Sequence, residues 1–224
     1  MSAIFIHAAI LNGCKQRILQ YLDIIYNSKL IESVNYIFIC FIGCDPIPLD
    51  ENSILNYNSN KNIFLIKLTD NILEYELPTL NYMYNFAIEN PSFSILYLHT
   101  KNVGKEINHC IEDQIVYMLY FLIEKWDTCV KLLENYNTVG VDLRNNPVLH
   151  YSGNFWWTTS KYISSLPSPF DFKDNINPLN STRHNQEFWI CSSDRKDSYV
   201  SLWDCGISVY ERHLHLYPRN KYIT

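Results

Sequence analysis

The chain has 224 residues, 47% hydrophobic and 15% aromatic against only 18% charged, which excludes a disordered chain and calls for a globule with a full core. A formal net charge of −5, with no basic run, lacks the electrostatic footprint of a nucleic-acid binder. Seven scattered cysteines with no C-x-x-C pair fit the reduced thiols of a cytoplasmic protein better than a disulfide framework or a zinc site. Met1 to Leu11 is apolar but has no basic leader or small-residue cleavage site, so it reads as a first strand and not as a targeting segment.

That strand is Ala3 to His7, followed by an Asn12-Gly13 turn and a helix over Cys14 to Asn27 with Ile18, Leu22 and Ile25 on one face. Tyr36 to Ile42 is the nearly continuous apolar run of a strand covered on both faces. Even extended to Cys44, it is about half the ~20 residues of a membrane helix, so no membrane span is expected. Asp50 to Lys61 reads as loop, Ile63 to Leu68 as a strand, and Pro78 to Pro91 as a helix that Pro78 can open. Phe93 to Leu98 is a strand delivering His99, and Ile111 to Leu133 reads as one long helix. Thr138 to Val141 is a strand ending in Asp142, and Tyr151 to Thr158 is another. Ser160 to Leu166 is a short helix, Ser168 to Asn180 a loop, Arg183 to Cys191 a helix and Leu202 to Tyr210 a last strand. Alternating strands and helices without a repeat or a Gly/Ser linker predict one α/β domain over residues 1–224, with a mixed, mainly parallel central sheet flanked by helices. The strand ends at His7, Asp45, His99 and Asp142 are expected along one edge of that sheet.

Two stretches carry chemistry. SILYLHTK, Ser94 to Lys101, is an apolar strand that stops abruptly at His99, Thr100 and Lys101, and open α/β sheets place ligands beyond such carboxyl ends. HYSGNFWWTTSKYISSLP, His150 to Pro167, runs Ser152-Gly153-Asn154 into Phe155, Trp156 and Trp157. Flat apolar faces beside a few polar groups suit a sugar or a base, although tandem tryptophans on a strand point to opposite faces and packing claims at least one. Six isolated glycines exclude a P-loop and a G-x-G-x-x-G turn, and there is no G-x-S-x-G or H-E-x-x-H.

These motifs resemble a family. Tyr97 to Lys101 before a long helix and His150 to Trp157 after it look like the Y-L-H-T-K-G and H-[FY]-S-G-N-F-W-W phrases of small GT-A-type glycosyltransferase domains of large DNA viruses and bacteria, with Asn102 where the phrase has Gly. The resemblance covers Ile4 to about Pro218. It implies a GT-A-type fold and transfer of a sugar from a nucleotide-sugar, by habit of the fold class UDP-linked, to a hydroxyl of a glycan or glycoprotein. It also implies a donor half at about 1–105 and an acceptor half at about 138–218, with a host-cytoplasmic location if the protein is viral. Donor binding falls to His7, Asn12, His99, Thr100 and Lys101. The acceptor or sugar falls to His150, Asn154, Trp156, Trp157 and Arg183.

Catalytic carboxylates are expected at Glu187, as the base, and at Asp142. Such folds hold Mn²⁺ or Mg²⁺ on an Asp-x-Asp motif, and this chain has His99-Thr100-Lys101 there. Neutral His99, with His215 as a late ligand, still offers nitrogen to a metal, while Lys101 offsets diphosphate charge directly. The changed motif also makes credible a non-catalytic carbohydrate- or nucleotide-binding module. A nucleotide-sugar hydrolase is the third reading.

Overall fold

A computed structural model describes residues 1–57, 62–172, 182–193, 198–208 and 210–223, with only the backbone at 182 and 183. Three apolar runs make the parallel heart of the sheet, β1 (Ser2–Ala9), β2 (Tyr36–Ile42) and β3 (Ile63–Thr69). Helix α1 (Cys14–Asn27) and the short turn α2 (Leu30–Ser33) cross from β1 to β2. Between β2 and β3, where a plain loop is expected, Glu51–Ile54 forms a helical turn, α3, because the Asp50 carboxylate accepts the Ser53 N–H at 2.8 Å. The rest of that expected loop, 58–61, lies outside the described residues.

Helix α4 (Leu77–Glu89) leads to β4 (Ser94–His99), which pairs in parallel on the other side of β1. The expected long helix is instead α5 (His109–Leu119), a π-turn over Tyr120–Glu124, and α6 (Trp126–Leu132). Its break coincides with the Trp157 indole, whose N–H donates to the Leu122 carbonyl at 2.7 Å from outside the helix. After β5 (Thr138–Gly140), a small antiparallel ribbon forms from β6 (Leu143–Arg144) and β7 (His150–Tyr151). The strand expected over Tyr151 to Thr158 is thus two pieces, β7 and β8 (Trp156–Thr159), interrupted where Gly153 and Asn154 adopt φ of 105° and 55°. Helix α7 (Ser160–Ile163) follows. Helix α8 (Thr182–Phe188) gives way to a 3₁₀ turn at Trp189–Cys191. The last strand is β9 (Tyr199–Ser201), earlier than expected; 202–208 is irregular. Of the loop expected over Ser168 to Asn180, 173–180 lies outside the described residues.

Among the described residues the main sheet has the order β3-β2-β1-β4-β8-β5-β9, parallel except for β8. This is the expected mixed, mainly parallel sheet. Helices cover both faces, with Ile4 and Ile6 of β1 packing on the side of α1 and α5, and Ala3 and Phe5 on the side of α4 and α7. Trp157 and Trp156 likewise enter opposite cores. Because β8 is antiparallel to both β4 and β5, the carboxyl ends of β1, β4 and β5 all reach the same edge.

Candidate active site

From β1 the chain adds strands in one direction, to β2 and β3, and then returns to place β4 on β1's other side. Such a reversal opens a crevice at the carboxyl ends of the two central strands. Here it is a cleft of about 440 Å³ to which His7, His99, Thr100 and Lys101 all contribute. His7 and His99 are register partners.

His7 is buried, with Nδ1 2.8 Å from the Thr79 hydroxyl. Burial, and then His99 beside it, lowers its pKa to about 3, so it stays neutral at physiological pH. His99 places Nε2 2.9 Å from the Gly153 carbonyl; a carbonyl only accepts, so Nε2 carries a proton. Thr100 is buried and its hydroxyl accepts the Ala9 N–H at 3.2 Å, tying the ends of β1 and β4 together. At Lys101 the backbone turns, its N–H donating to the His99 carbonyl at 2.7 Å. The next residue, Asn102, has φ 65°, the left-handed geometry that asparagine tolerates in place of glycine. The loop then brings Lys105 to the cleft as a second ammonium.

The residue that sequence reasoning missed is Glu76. It sits just before α4, lines the cleft, and places Oε1 3.7 Å from His99 Nδ1. Its other oxygen accepts Asn154 Nδ2 at 2.6 Å. The preceding Tyr75 has φ 50°, an outlier for a bulky side chain of the kind that clusters at functional sites. Gln186 of α8 clamps this turn from both sides, accepting the Glu76 N–H at 2.7 Å and donating to the Glu74 carbonyl at 3.2 Å. The same contact brings α8 over the cleft, where Glu187 joins the lining. The positive φ and the carboxylate pair leave no periodic mark in the sequence. The only local signal is a polar TDN turn before ILEYELP.

Other expected residues lie elsewhere. Asn154 is buried and makes its contacts to protein, with Oδ1 accepting the Trp156 indole at 2.8 Å. Trp156 stacks on Tyr97 at 4.9 Å, and both tryptophans are fully buried in opposite cores, so neither offers a face to a sugar. His150 is buried, bonds the Val148 carbonyl through Nδ1 at 2.7 Å and packs edge-on against Phe188; its pKa is lowered, chiefly by burial. Asp142 does not line the cleft. Fully buried, it accepts Tyr117 Oη at 2.5 Å and the Cys205 N–H at 2.8 Å, and pairs with Arg144 at 3.1 Å and Arg212 at 2.8 Å. Its lone pairs are spoken for, which is the setting of a structural anion and not of a base. Asn12 is exposed and contributes its carbonyl, to the Gly104 N–H at 2.8 Å, while its neighbour Leu11 lines the cleft. His215 is exposed in the C-terminal segment, away from the lining. The side chain of Arg183 lies outside the described residues.

Residues 16–201 match the family described as Domain of unknown function (DUF8361). The chain belongs to this family. No curated protein matches it. Among solved structures, this DUF8361 chain is similar to a protein of Desulfovibrio desulfuricans G20 described as a nucleotide-diphospho-sugar transferase, at 10% identity and a TM-score of 0.45, over 91% of this chain and 81% of that one. It is also similar to a 4-diphosphocytidyl-2C-methyl-D-erythritol synthase, at 11% identity and a TM-score of 0.40, over 98% and 94%. A third likeness is to residues 1–349 of S. aureus TarS, at 10% identity and a TM-score of 0.39, over 96% and 63%. At these values the likeness decides no activity, and the chemistry rests on the cleft of the DUF8361 chain itself.

The donor set of that cleft does not suit a divalent cation. A metal needs several convergent neutral or anionic donors, and His7, Glu76, His99 and Glu187 line the cleft without forming such a group among the described residues. Among the described residues, the group of three close metal-type ligand atoms is Asp142, Asp204 and Cys205. There Arg144 and Arg212 already neutralise the buried carboxylate. Neither His99 nor His215 joins such a group. Among the described residues no helix is long and apolar enough to cross a membrane.

Proposed function

We propose that the DUF8361 chain is a GT-A-type glycosyltransferase that moves a sugar from a nucleotide-sugar, UDP-linked in the simplest case, to a hydroxyl of a glycan or glycoprotein. The observation that carries this reading is the convergence of His99, Thr100, Lys101 and Glu187 on one cleft at the reversal of strand order. Leu11, Ile42, Ile72 and Leu73 give that cleft an apolar side fit for a base. Lys101 and Lys105 give it charge fit for a diphosphate.

Glu187 is the proposed base. It takes the acceptor hydroxyl proton while that oxygen bonds the anomeric carbon and the bond from this carbon to the diphosphate oxygen breaks. The electrons leave with the nucleoside diphosphate, whose charge Lys101 offsets. No divalent ion enters this scheme. The test is a thermal-shift panel of UDP, GDP and CMP with their sugars, then donor consumption with and without sugar acceptors. Stabilisation by a nucleotide and acceptor-dependent consumption support transfer. Consumption equal with and without acceptor indicates a hydrolase. The replacement of paired acids by His99-Thr100-Lys101 favours a binding module as the second reading, and binding without any consumption would establish it.

A further inference from the structure

Glu76 and His99 are held as a pair by one turn. Gly153 presents its carbonyl to His99 Nε2, and the next residue, Asn154, presents its amide to Glu76 Oε2. That turn is closely packed and tied from behind. A Cβ on Gly153 would meet Met118 Sδ at 2.5 Å, and its φ of 105° suits glycine. Behind it, Arg212 donates to the Ser152 carbonyl at 3.3 Å and to the Ser152 hydroxyl while pairing with Asp142 at 2.8 Å. Both partners are mostly shielded, with side chains 15% and 14% exposed.

The two ring nitrogens of His99 thus face groups that only accept, a carbonyl on one side and a carboxylate on the other, and both are served only when both nitrogens carry protons. The other groups around the ring set the balance. Neutral His7 from β1 adds no repulsion, Glu187 from α8 favours charge, and Lys101 on the same segment opposes it. Phe155 meets the ring edge-on at 5.0 Å, and the Tyr21 hydroxyl of α1 donates to the His99 carbonyl, at 2.9 Å.

We propose that Glu76 and His99 act as a carboxylate–imidazolium pair, positioned by the Ser152–Asn154 turn, so that His99 joins Lys101 as the cation offered to a nucleoside diphosphate. This rests on the donor reading of the cleft and adds to it a working carboxylate and the reason for the SGN turn.

The experiment follows His99 by NMR of ¹³C-histidine-labelled protein, assigned with His99→Gln. In parallel, calorimetry measures UDP affinity between about pH 6 and 8.5, the range that brackets a raised imidazole pKa. In the wild type, His99 is expected to titrate above about 6.5, and UDP affinity to fall as pH rises through that titration. Glu76→Gln keeps the acceptor for Asn154 but removes the charge. It should lower the His99 titration by about one pH unit or more and carry the midpoint of UDP affinity with it. Lys101→Ala should weaken UDP at every pH and, by removing a like charge beside the ring, move that midpoint upward, opposite to Glu76→Gln.

A His99 that titrates below about 6.5 in the wild type, or a midpoint unmoved by Glu76→Gln, overturns the proposal. Coupling seen by NMR in a protein that binds no UDP, GDP or CDP overturns the donor reading, and with it the role given to the pair.

Discussion

Two regions at the same edge of the sheet bring carboxylates and cations together, and they have opposite fates. Around Asp142, after β5, Arg144, Arg212, Tyr117 and the Cys205 amide enclose one fully buried acid. Around β1 and β4, Glu76 and Glu187 face His99, Lys101 and Lys105 across an open cleft. The first region satisfies its charges internally; the second keeps them in reach of a ligand. A carboxylate at this edge is therefore a candidate for chemistry only where neighbouring elements leave it facing open space, and that is what separates Glu187, which lines the cleft, from the enclosed Asp142.

The sharpest way to break the comparison is Asp142→Ala. It leaves the buried Arg212 guanidinium without its carboxylate, while Arg144 keeps Asp204, and breaking a buried pair costs about 3–5 kcal/mol. Urea denaturation should show that loss; a variant as stable as the wild type would mean that the knot is not structural. On the cleft side, Glu187→Gln should lower transfer by about 10²–10⁴-fold while donor affinity stays within about twofold. Its stability should barely change, and retention of substantial transfer would remove Glu187 as the base. Lys101→Ala should weaken nucleotide-sugar binding about tenfold to a hundredfold, as expected for a charged hydrogen bond worth about 1.5–3 kcal/mol, and weaken the free nucleoside much less. Equal losses for both ligands would show that Lys101 does not meet phosphate. The smallest expected effect is that of added Mn²⁺. If side-chain cations serve the diphosphate, donor affinity with and without the ion, measured by calorimetry, should agree within about twofold. A large gain with Mn²⁺ would restore a metal to the site.

Much of this was open to sequence reasoning because local chemistry determines it. Continuous apolar runs such as Tyr36 to Ile42 are stable only when buried on both faces, so they foretell a parallel sheet under helices. The stop at His99-Thr100-Lys101 foretells the end of a strand, and β4 ends at His99. The helix expected through Ile111 to Leu133 failed where Trp157, from a distant part of the chain, engages Leu122. The strand expected through Tyr151 to Thr158 failed because the SGN turn needs positive φ.

By itself, then, the sequence determined most of the strands and helices, the polar groups that end β1 and β4, and that Trp156 and Trp157 point apart, since these follow from periodicity and backbone preference over a few residues. Only the tertiary structure decided which of those polar groups work together. It joined Glu76 to Asn154 across 78 positions, moved Asn154 and both tryptophans from ligand contact to support, and withdrew Asp142 into a buried knot with Arg212. The physical reason is that a carboxylate's role depends on what shields and pairs it, and those partners come from elements far apart in the chain.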